Sequence, residues 1–486
     1  MIFIRKDMFF SDCEIKMSFE NVITTIDGYV WGWPLIILIL ATGVYLTFRT
    51  GLVQVFYLPR ALKYMVKNEE GGKGEVTSFG ALCTALSATI GTGNIIGVAT
   101  AISAGGPGAL FWMLVAAFFG MATKYAEGLL AIRYRVDKGD GHFLGGPFYY
   151  IENGMGKKFK WLAKLFSLFG AVAGILGIGT ITQINGITSA AQNVFDPEKS
   201  HILFSIGEND YTYTLVIVGA IVTVCAALVI IGGIKRIAKV SEIIVPFMAI
   251  TYVVFVLIIL ACNVKAIPAA FSLIFRSAFD VRAVGGAILG LTLKTAMQKG
   301  IGRGIFSNEA GLGSAPIAAA AAQTNEPARQ GLVTMTGTFI DTIIVCTMTG
   351  LSIVITSAWD PRVTGRALDG VDVTLYAWQH GLPFSETFSS VMLTLCLVFF
   401  AFTTILGWNY YGERCLEYLT GGRRSAVRVY RWIYILAVLA GPYLTVSAVW
   451  GIADIFNGLM AFPNLIALFL LAGVVSKETK RITDIR

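Results

Sequence analysis

Charged residues are scarce in this chain. Asp, Glu, Lys and Arg make up 14% of its 486 residues, about half the share that is usual in soluble domains. Its three histidines are far apart in sequence, and its seven cysteines form no Cys-x-x-Cys motif. A disulfide framework, a zinc knuckle and a histidine-based metal or nucleophilic site are therefore not expected.

Catalytic motifs and soluble modules are also lacking. The hydrophobic runs contain no Gly-x-Ser-Gly, no His-Glu-x-x-His and no paired aspartates, which an intramembrane enzyme would need as a nucleophile with its base or as metal ligands. No low-complexity linker divides the chain. The sequence therefore favours a single membrane domain over residues 1–486, without enzymatic activity and without a cofactor.

Apolar sequence is what the chain has in abundance. Apolar residues make up 55% of it, and the mean hydropathy is +0.70. A run of about 20 apolar residues is long enough to cross a bilayer as a helix, so the fold class is an all-α, multi-pass membrane protein. Eleven spans are predicted, at about 29–49, 76–104, 108–132, 163–193, 212–234, 241–263, 281–305, 331–357, 386–412, 432–450 and 454–475.

The placement of lysine and arginine predicts the orientation of these spans. Segments on one side of an eleven-span arrangement carry 25 Lys or Arg, and the opposite loops carry nine. Because basic loops stay cytoplasmic, the N-terminus is predicted outside and the C-terminus inside a plasma membrane. The formal net charge of +8 then reflects topology and attraction to anionic membrane lipid, and no nucleic-acid partner is expected.

One span is polar where a membrane helix should be apolar. The stretch Ser87-Ala-Thr-Ile-Gly-Thr-Gly-Asn-Ile-Ile-Gly97 combines three glycines, three hydroxyl side chains and an asparagine. A helix unwinds inside a membrane only where protein, water or a ligand meets the freed backbone groups. Freed amides attract a carboxylate and freed carbonyls attract a small cation, as in discontinuous transporter helices. A small-residue seam for close helix packing, Gly93-x-x-x-Gly97, is the structural alternative.

A second glycine-rich, polar span begins near residue 281. Paired interrupted helices at matching positions are the best sequence pointer to a transport site. Thr292, Thr295 and Met297 lie nearest the predicted midplane of this span, so the backbone of residues 293–300 is expected to receive a substrate amine. The implied organisation is an extracellular tail (1–28), an extra helix (29–49), a five-helix repeat (76–263), a second, inverted repeat (281–475) and a cytoplasmic tail (476–486).

Ionisable residues inside spans are costly and are functional candidates by default. Lys124 and Glu127, three positions apart, are expected to pair on one helix face. Asp341 lies among hydroxyl side chains, and Glu309 is placed at the inner end of the second interrupted helix. Gating or helix anchoring is the favoured role for the three acids, while proton coupling stays open as an alternative.

Four long motifs follow one another along the chain. They are Ser87 to Gly97, Gly105 to Met113 (GGPGALFWM), Gly304 to Ile317 (GIFSNEAGLGSAPI) and Ala401 to Glu413 (AFTTILGWNYYGE). Together they closely resemble the sodium:alanine symporter family, also called alanine or glycine:cation symporters, from about residue 25 onward. Leu114, where the family would have tryptophan, and a longer polar insertion around 195–211 are departures from that pattern.

The resemblance implies a LeuT-type fold of five plus five inverted helices. It also implies sodium-coupled symport of a small neutral amino acid, L-alanine, glycine or D-alanine, by alternating access and by a monomer. Sodium is expected as the coupling ion. A channel is the weaker alternative, because a pore would need rings of polar groups and this sequence concentrates its polarity at two helix breaks and one threonine pair.

The resemblance also assigns roles, because Gly91-Thr92-Gly93-Asn94 resembles the unwound Gly-x-Gly-Asn of the first core helix. Amides of this segment would face the substrate carboxylate, and carbonyls just before it would face sodium. The substrate candidates include residues near the centre of the fourth span and a bulky side chain for the pocket wall. They are Thr92, Gly93, Asn94, Thr182, Gln183, Thr295, Met297 and Trp408. The sodium candidates are Ser87, Thr89, Ile90, Thr403 and Thr404.

Thr89 and Asn94 would complete a second sodium site if this chain has one. Other assignments have a structural alternative. The hydroxyls of Thr403 and Thr404 are equally suited to bond carbonyls of their own helix. Core hydrogen bonding between helices would also account for Thr182 and Gln183.

Overall fold

The computed structural model describes residues 21–139, 141–177, 179–206, 209–279, 293–444 and 446–483. Helices dominate these ranges. The helices and strands of the first part are α1 (Asn21–Arg49, interrupted at residues 31–32), α2 (Val53–Phe56), α3 (Leu58–Val66), α4 (Ser78–Thr89), α5 (Val98–Gly105), α6 (Gly108–Arg133), β1 (Val136–Asp137), β2 (Phe143–Leu144), α7 (Pro147–Tyr149), α8 (Lys160–Leu176), α9 (Ile181–Phe195), β3 (Ile202–Ile206), β4 (Asn209–Thr212), α10 (Tyr213–Ile230), α11 (Gly233–Cys262) and α12 (Ile267–Phe279).

The second part continues with helices alone. They are α13 (Leu293–Asn308), α14 (Ala315–Ala319), α15 (Pro327–Thr338), α16 (Thr347–Ile355), α17 (Pro361–Thr364), α18 (Val371–Gly381), α19 (Glu386–Leu419), α20 (Arg424–Ala440), α21 (Val446–Leu470) and α22 (Ala472–Thr483). Wide π-helical turns join α4 to α5 at Gly93–Gly97 and α15 to α16 at Phe339–Cys346, and a third covers Tyr150–Met155. Such turns are frequent at functional sites.

The strands form two antiparallel hairpins outside the helical bundle. In β1 and β2, Val136 pairs with Leu144. In β3 and β4, Ile206 pairs with Asn209, and a register shift separates Ile202 from Phe204. The second hairpin is the polar insertion noted around 195–211.

Eight helices in the described ranges are long and apolar enough to cross a membrane, and nine if the bent pair α4 and α5 is one span. α13 and α20 have 16 and 17 residues, fewer than the roughly 20 that a span needs, and residues 280–292 before α13 lie outside the description. The count of eleven and the orientation stay predictions. Residues 21–28, expected to be a tail, are part of α1.

The helices pack in two groups. α6 packs against α13, α15 and α1, while α19 packs against α8, α9, α11 and α4. The core between them contains large side chains with almost no exposure, among them Tyr125, Trp378 and Trp408. α10 and α11 instead present large exposed apolar side chains such as Ile217, Phe247 and Ile250, as expected of helices that face lipid tails.

The segment between α16 and α19 lies over the first broken helix. Its helix α18 is held there because Thr374 donates a hydrogen bond to the carbonyl of Ile95, at 3.3 Å. A Cβ on Gly370 would lie 3.6 Å from Ile96. This segment is therefore a packed cover on the π-helical turn.

Candidate functional site

The first break lies where the sequence predicts it. α4 ends at Thr89, Ile90 has extended backbone, and α5 follows the π-helical turn at an angle of 54° to α4. In a continuous helix the amide of Gly91 would donate to the carbonyl of Ser87. Here that amide donates to Asn94 Oδ1 at 2.9 Å. The Ser87 carbonyl is thereby left without its usual helical donor.

Asn94 links this break to the second repeat. Its Nδ2 donates to Asp341 Oδ1 at 2.7 Å, and its carbonyl accepts from Thr349 at 2.8 Å. The other carboxylate oxygen, Asp341 Oδ2, accepts from Ser307 at 3.0 Å and from Thr342 at 2.7 Å. Asp341 is fully buried. This carboxylate thus ties together the first break, the end of α13 and the second π-helical turn.

No basic side chain neutralises Asp341 at ion-pair distance within the described part of the chain. A buried carboxylate is retained when hydrogen bonds or a cation compensate its desolvation. Three donors compensate it here. Groups of three or more His, Cys, Asp or Glu side chains that would suit a metal do not occur among the described residues.

α19 and α9 form the opposite wall of the first break. A Cβ on Gly91 would lie 2.5 Å from Thr404 Oγ1 and 3.7 Å from Gln183 Oε1. A Cβ on Gly407, one turn along α19, would lie 2.7 Å from the amide of Ala88. Gly91 therefore permits a close approach of the backbone to both helices. Three predicted residues, Gly91, Thr404 and Gln183, are together in space.

The two predicted threonines of α19 face different neighbours. Thr404 faces Gly91, whereas Thr403 Oγ1 lies 3.5 Å from the sulfur of Met248 on α11. Both hydroxyls donate to the carbonyl of Phe400 at 3.0 Å, as the structural alternative anticipated. Successive residues of a helix differ by about 100° in direction, so Thr404 is the hydroxyl that faces Gly91, and the assignment of both hydroxyls to one sodium site stays a prediction.

The other hydroxyls of the first half-helix are also occupied locally. Ser87 donates to the carbonyl of Thr84 at 2.7 Å, and Thr89 bonds the carbonyls of Ala85 and Leu86 at 3.3 and 3.4 Å. Thr92 is buried, and its methyl group faces Gly186 of α9. Ile90 is fully buried beside the break.

A further interruption divides the fourth span. α8 ends at Leu176 and α9 begins at Ile181. Thr182 donates to the carbonyl of Gly177 at 2.8 Å, so this hydroxyl caps the interruption. A Cβ on Gly179 would collide with Trp408, which is fully buried on α19 one turn beyond Thr404. The predicted span over 163–193 corresponds to one candidate membrane span, Lys157–Phe195, within which regular helix is interrupted after Leu176.

A second break lies beyond residues 293–300, which are helical, while residues 281–292 of the predicted span lie outside the described residues. Residues 293–308 form the uninterrupted helix α13, and the break follows at Glu309, where φ is +55°. Thr295 and Met297 are partly buried near the start of α13, about 18 Å along the helix from Ser307. Their predicted place at a break is therefore wrong, and Thr292 lies outside the described residues.

Glycines explain the break that follows α13. Gly311 and Gly313 have φ values of +91° and +81°, which side chains rarely permit. The pattern Gly311-x-Gly313 repeats the spacing of Gly91-x-Gly93 at the first break, but this spacing alone does not distinguish a break from an intact helix. Gly300, Gly302 and Gly304 have the same spacing within the intact helix α13, where Gly300 lies against neighbouring backbone and its Cβ would collide with Ala109.

A buried glutamate holds the second break together. Glu127 Oε1 accepts from the amides of Gly311 and Gly313 at 3.1 and 3.2 Å. It also accepts from Asn464 Nδ2 at 2.7 Å. Glu127 therefore satisfies backbone donors that the break exposes, which agrees with helix anchoring.

The predicted pairing of Glu127 with Lys124 is not observed. Lys124 is buried on α6 but forms no ion pair with Glu127 in the described ranges. Glu127 points instead to the amides of the second break. Glu309 is also buried, and it accepts a hydrogen bond from Ser314 across the same break.

Two broken helices that meet at a buried polar cluster define a secondary transporter with discontinuous helices. The crystal structure of MhsT in complex with L-phenylalanine has the same fold. It is similar to this chain with a TM-score of 0.55 and 14% identity, over 84% of this chain and 99% of MhsT. The LeuT-type fold predicted from the sequence is thereby confirmed.

The chain belongs to the sodium:alanine symporter family, whose family model matches residues 16–485. The sodium/alanine symporter AgcS of Methanococcus maripaludis is 46% identical over 475 residues, 97% of this chain and 98% of that protein. An uncharacterized transporter of Haemophilus influenzae is 54% identical over 464 residues, 96% of each chain. The protein is therefore a multi-pass membrane transporter and not an enzyme, as predicted.

Proposed function

We propose that this protein imports a small neutral amino acid, L-alanine or glycine, together with sodium. The observation that carries the proposal is the approach of Thr404 and Gln183 to Gly91, at the first break and opposite the Asn94–Asp341 contact. The family and the name of the Methanococcus relative support the choice of substrate and ion. Uptake would be driven by the sodium gradient and by the membrane potential, about 2.3 kcal/mol per charge per 100 mV.

The substrate carboxylate would bind at the amides of the first break. Thr92 and Gly93 stand at the start of the second half-helix, where partial positive charge favours an anion. A Cβ on Gly93 would lie 3.7 Å from Phe306. The space beside this backbone is therefore narrow, and Trp408 with Phe306 would exclude long side chains. Gln183 is the side chain that supports a polar contact from α9.

Sodium would bind at the end of the first half-helix. The carbonyls of Ser87 and Ile90 would supply two oxygens, and the hydroxyl of Thr404 a third, because Thr404 faces the break. Thr403 is left out of this proposal since it faces Met248. If a second ion binds, Asn94 and Asp341 support its site better than Thr89, whose hydroxyl bonds its own helix.

Proton coupling is the second candidate. It rests on Asp341, a fully buried carboxylate between the two repeats that forms no ion pair in the described part of the chain. A proton taken up there from outside and released inside would serve as the coupling ion. This mechanism would leave uptake independent of sodium and dependent on a proton gradient.

The adjacent threonines of α19 provide the test. Radiolabelled alanine uptake into proteoliposomes is measured with an inward sodium gradient at fixed pH. Thr404→Val removes the hydroxyl that faces Gly91, and Thr403→Val is the matched control. We expect Thr404→Val to raise the sodium concentration for half-maximal uptake at least tenfold, about 1.4 kcal/mol of lost ion binding. Thr403→Val should keep the sodium dependence of the wild type.

Two results would contradict the proposal. Equal effects of both substitutions would show that the hydroxyls act through helix packing. Uptake driven by a proton gradient without sodium would favour the second candidate, and Asp341→Asn would then abolish it. Competition by unlabelled glycine, serine, D-alanine and glutamine would define the substrate range.

A further inference from the structure

A large basic pocket lies at the end of the bundle that the lysine and arginine bias predicts to be cytoplasmic. Its volume is about 670 Å³. It is enclosed by the β1–β2 hairpin, the α10–α11 turn, the end of α19 and the start of α20. Its charged lining, which defines the basic pocket, consists of Lys138, Lys235, Arg414, Arg424, Arg428 and Arg431 with His142, Glu75, Glu413 and Glu417.

The acidic groups of the basic pocket are already paired. Glu413 receives both guanidinium contacts of Arg431, at 2.6 and 2.7 Å. Glu417 pairs with Arg414 at 2.7 Å and with His142 at 3.0 Å. Glu75 lies 3.4 Å from His142. Hydrogen bonds from His142 to Glu417 and Glu75 raise the pKa of His142 to about 9, so it adds a positive charge at neutral pH.

Four cations of the basic pocket are left over. Lys138, Lys235, Arg424 and Arg428 are exposed and form no ion pair within the described residues. In addition, the Nε of the buried Arg414 has no hydrogen-bond partner there. Clustered cations repel one another unless an anion compensates them. The pocket therefore has the charge of a site for a phosphate group.

Apolar surface adjoins the basic pocket on two sides. A Cβ on Gly233 would lie 3.4 Å from Arg431, so the α10–α11 turn touches α20. From this junction α20 presents Val429 and Trp432, 57% and 54% exposed, and α10 presents Leu228, 61% exposed. A soluble phosphate ion would not use these side chains, whereas the acyl chains of a lipid would cover them.

We propose that the basic pocket binds the phosphate headgroup of an anionic phospholipid, with its acyl chains along α10 and α20. Basic pockets between membrane helices on the cytoplasmic side recognise such headgroups. The bound lipid would join the α10–α11 turn, the β1–β2 hairpin and the end of α19. This site is separate from the two helix breaks, and the proposal does not depend on which substrate or ion is carried.

Native mass spectrometry of the full chain in a neutral detergent tests the proposal, with phosphatidylglycerol as the probe and phosphatidylcholine as the reference lipid. Lys235→Gln/Arg428→Gln removes two unpaired cations of the basic pocket. Lys265→Gln/Arg276→Gln removes two exposed cations elsewhere and is the matched control. Each cation near an anionic headgroup contributes about a factor of five in affinity, so the pocket variant should bind phosphatidylglycerol about 30-fold more weakly, while the control keeps the wild-type affinity.

A further variant and a second ligand make the result decisive. The charge-preserving variant Lys235→Arg/Arg428→Lys should retain binding, which separates loss of charge from loss of folding. Equal weakening in the pocket and control variants would overturn the proposal, because it would show unspecific attraction between a basic protein and anionic lipid. Binding of inorganic phosphate without binding of phosphatidylglycerol would overturn the assignment to a lipid and identify a soluble anion as the ligand.

Discussion

Asp341 offers the sharpest test of how the two repeats are joined. Its Oδ1 accepts one hydrogen bond, from Asn94, and its Oδ2 accepts two, from Ser307 and Thr342. Thr342 itself accepts from Asn308 at 3.0 Å, so its own proton is available for Asp341. The hydroxyls of Ser307 and Thr342 are directed at the carboxylate, whereas Asn94 Nδ2 also reaches the backbone carbonyl of Asp341 at 3.2 Å.

Asp341→Asn keeps the shape and replaces one acceptor oxygen with a donor. The rotamer that loses the fewest hydrogen bonds turns the new NH₂ toward Asn94. Two donor groups would then face each other across the 2.7 Å that a hydrogen bond now spans. One hydrogen bond to a charged group is lost, and a buried donor loses its partner. The expected loss of unfolding free energy is about 1.5–3 kcal/mol.

The measurement is the free energy of unfolding by titration with SDS, followed by intrinsic fluorescence. Asp372→Asn is the matched control, because Asp372 is exposed in the first turn of α18 and its loss should cost at most about 1 kcal/mol. A variant Asp341→Asn as stable as the wild type would refute the reasoning. It would show that the carboxylate does not hold the break, the end of α13 and the π-helical turn together.

Two other perturbations have expected outcomes. Glu127→Ala should lower the free energy of unfolding by about 2–6 kcal/mol, because it leaves two buried amides without an acceptor at about 1–3 kcal/mol each. Glu127→Gln keeps the accepting oxygen and should lower it much less. Equal losses in SDS titrations would contradict the anchoring role. Hydrogen bonds to Glu417 and Glu75 raise the pKa of His142 from 6.5 to about 9, so the stability gained from its charge is complete below pH 6.5 and is lost as pH rises through about 9. His142→Gln should flatten the change in thermal unfolding temperature over this range, and His380→Gln, the control, should not.

Sequence patterns predicted the structure correctly where one local property of the chain determines it. The membrane helices follow from apolar runs, and the first break follows from Gly91-x-Gly93 beside Asn94. The break after α13 was not predicted, because local sequence does not show which glycines mark an unwound segment. Gly300 is instead a place where another backbone comes close, and a helix stays intact there because its own hydrogen bonds are kept.

Other parts of the site required the packed structure. Whether Thr403 or Thr404 faces the break depends on the rotation of α19, which packing against α4 and α11 sets. Likewise, Lys124 and Glu127 have the spacing of an ion pair, but unpaired amides at the second break hold the carboxylate more effectively.

By itself, the sequence determined that this chain is a multi-pass membrane transporter with an interrupted helix at residues 90–93 and a place in the sodium:alanine symporter family. Composition and local motifs suffice for this because they act along one segment of chain. Only the tertiary structure decided that Asp341 joins the repeats, that Glu127 anchors the second break and that four cations without an ion pair in the described part of the chain line one pocket. These features depend on side chains from segments far apart in sequence, and only the packing of the helices brings them together.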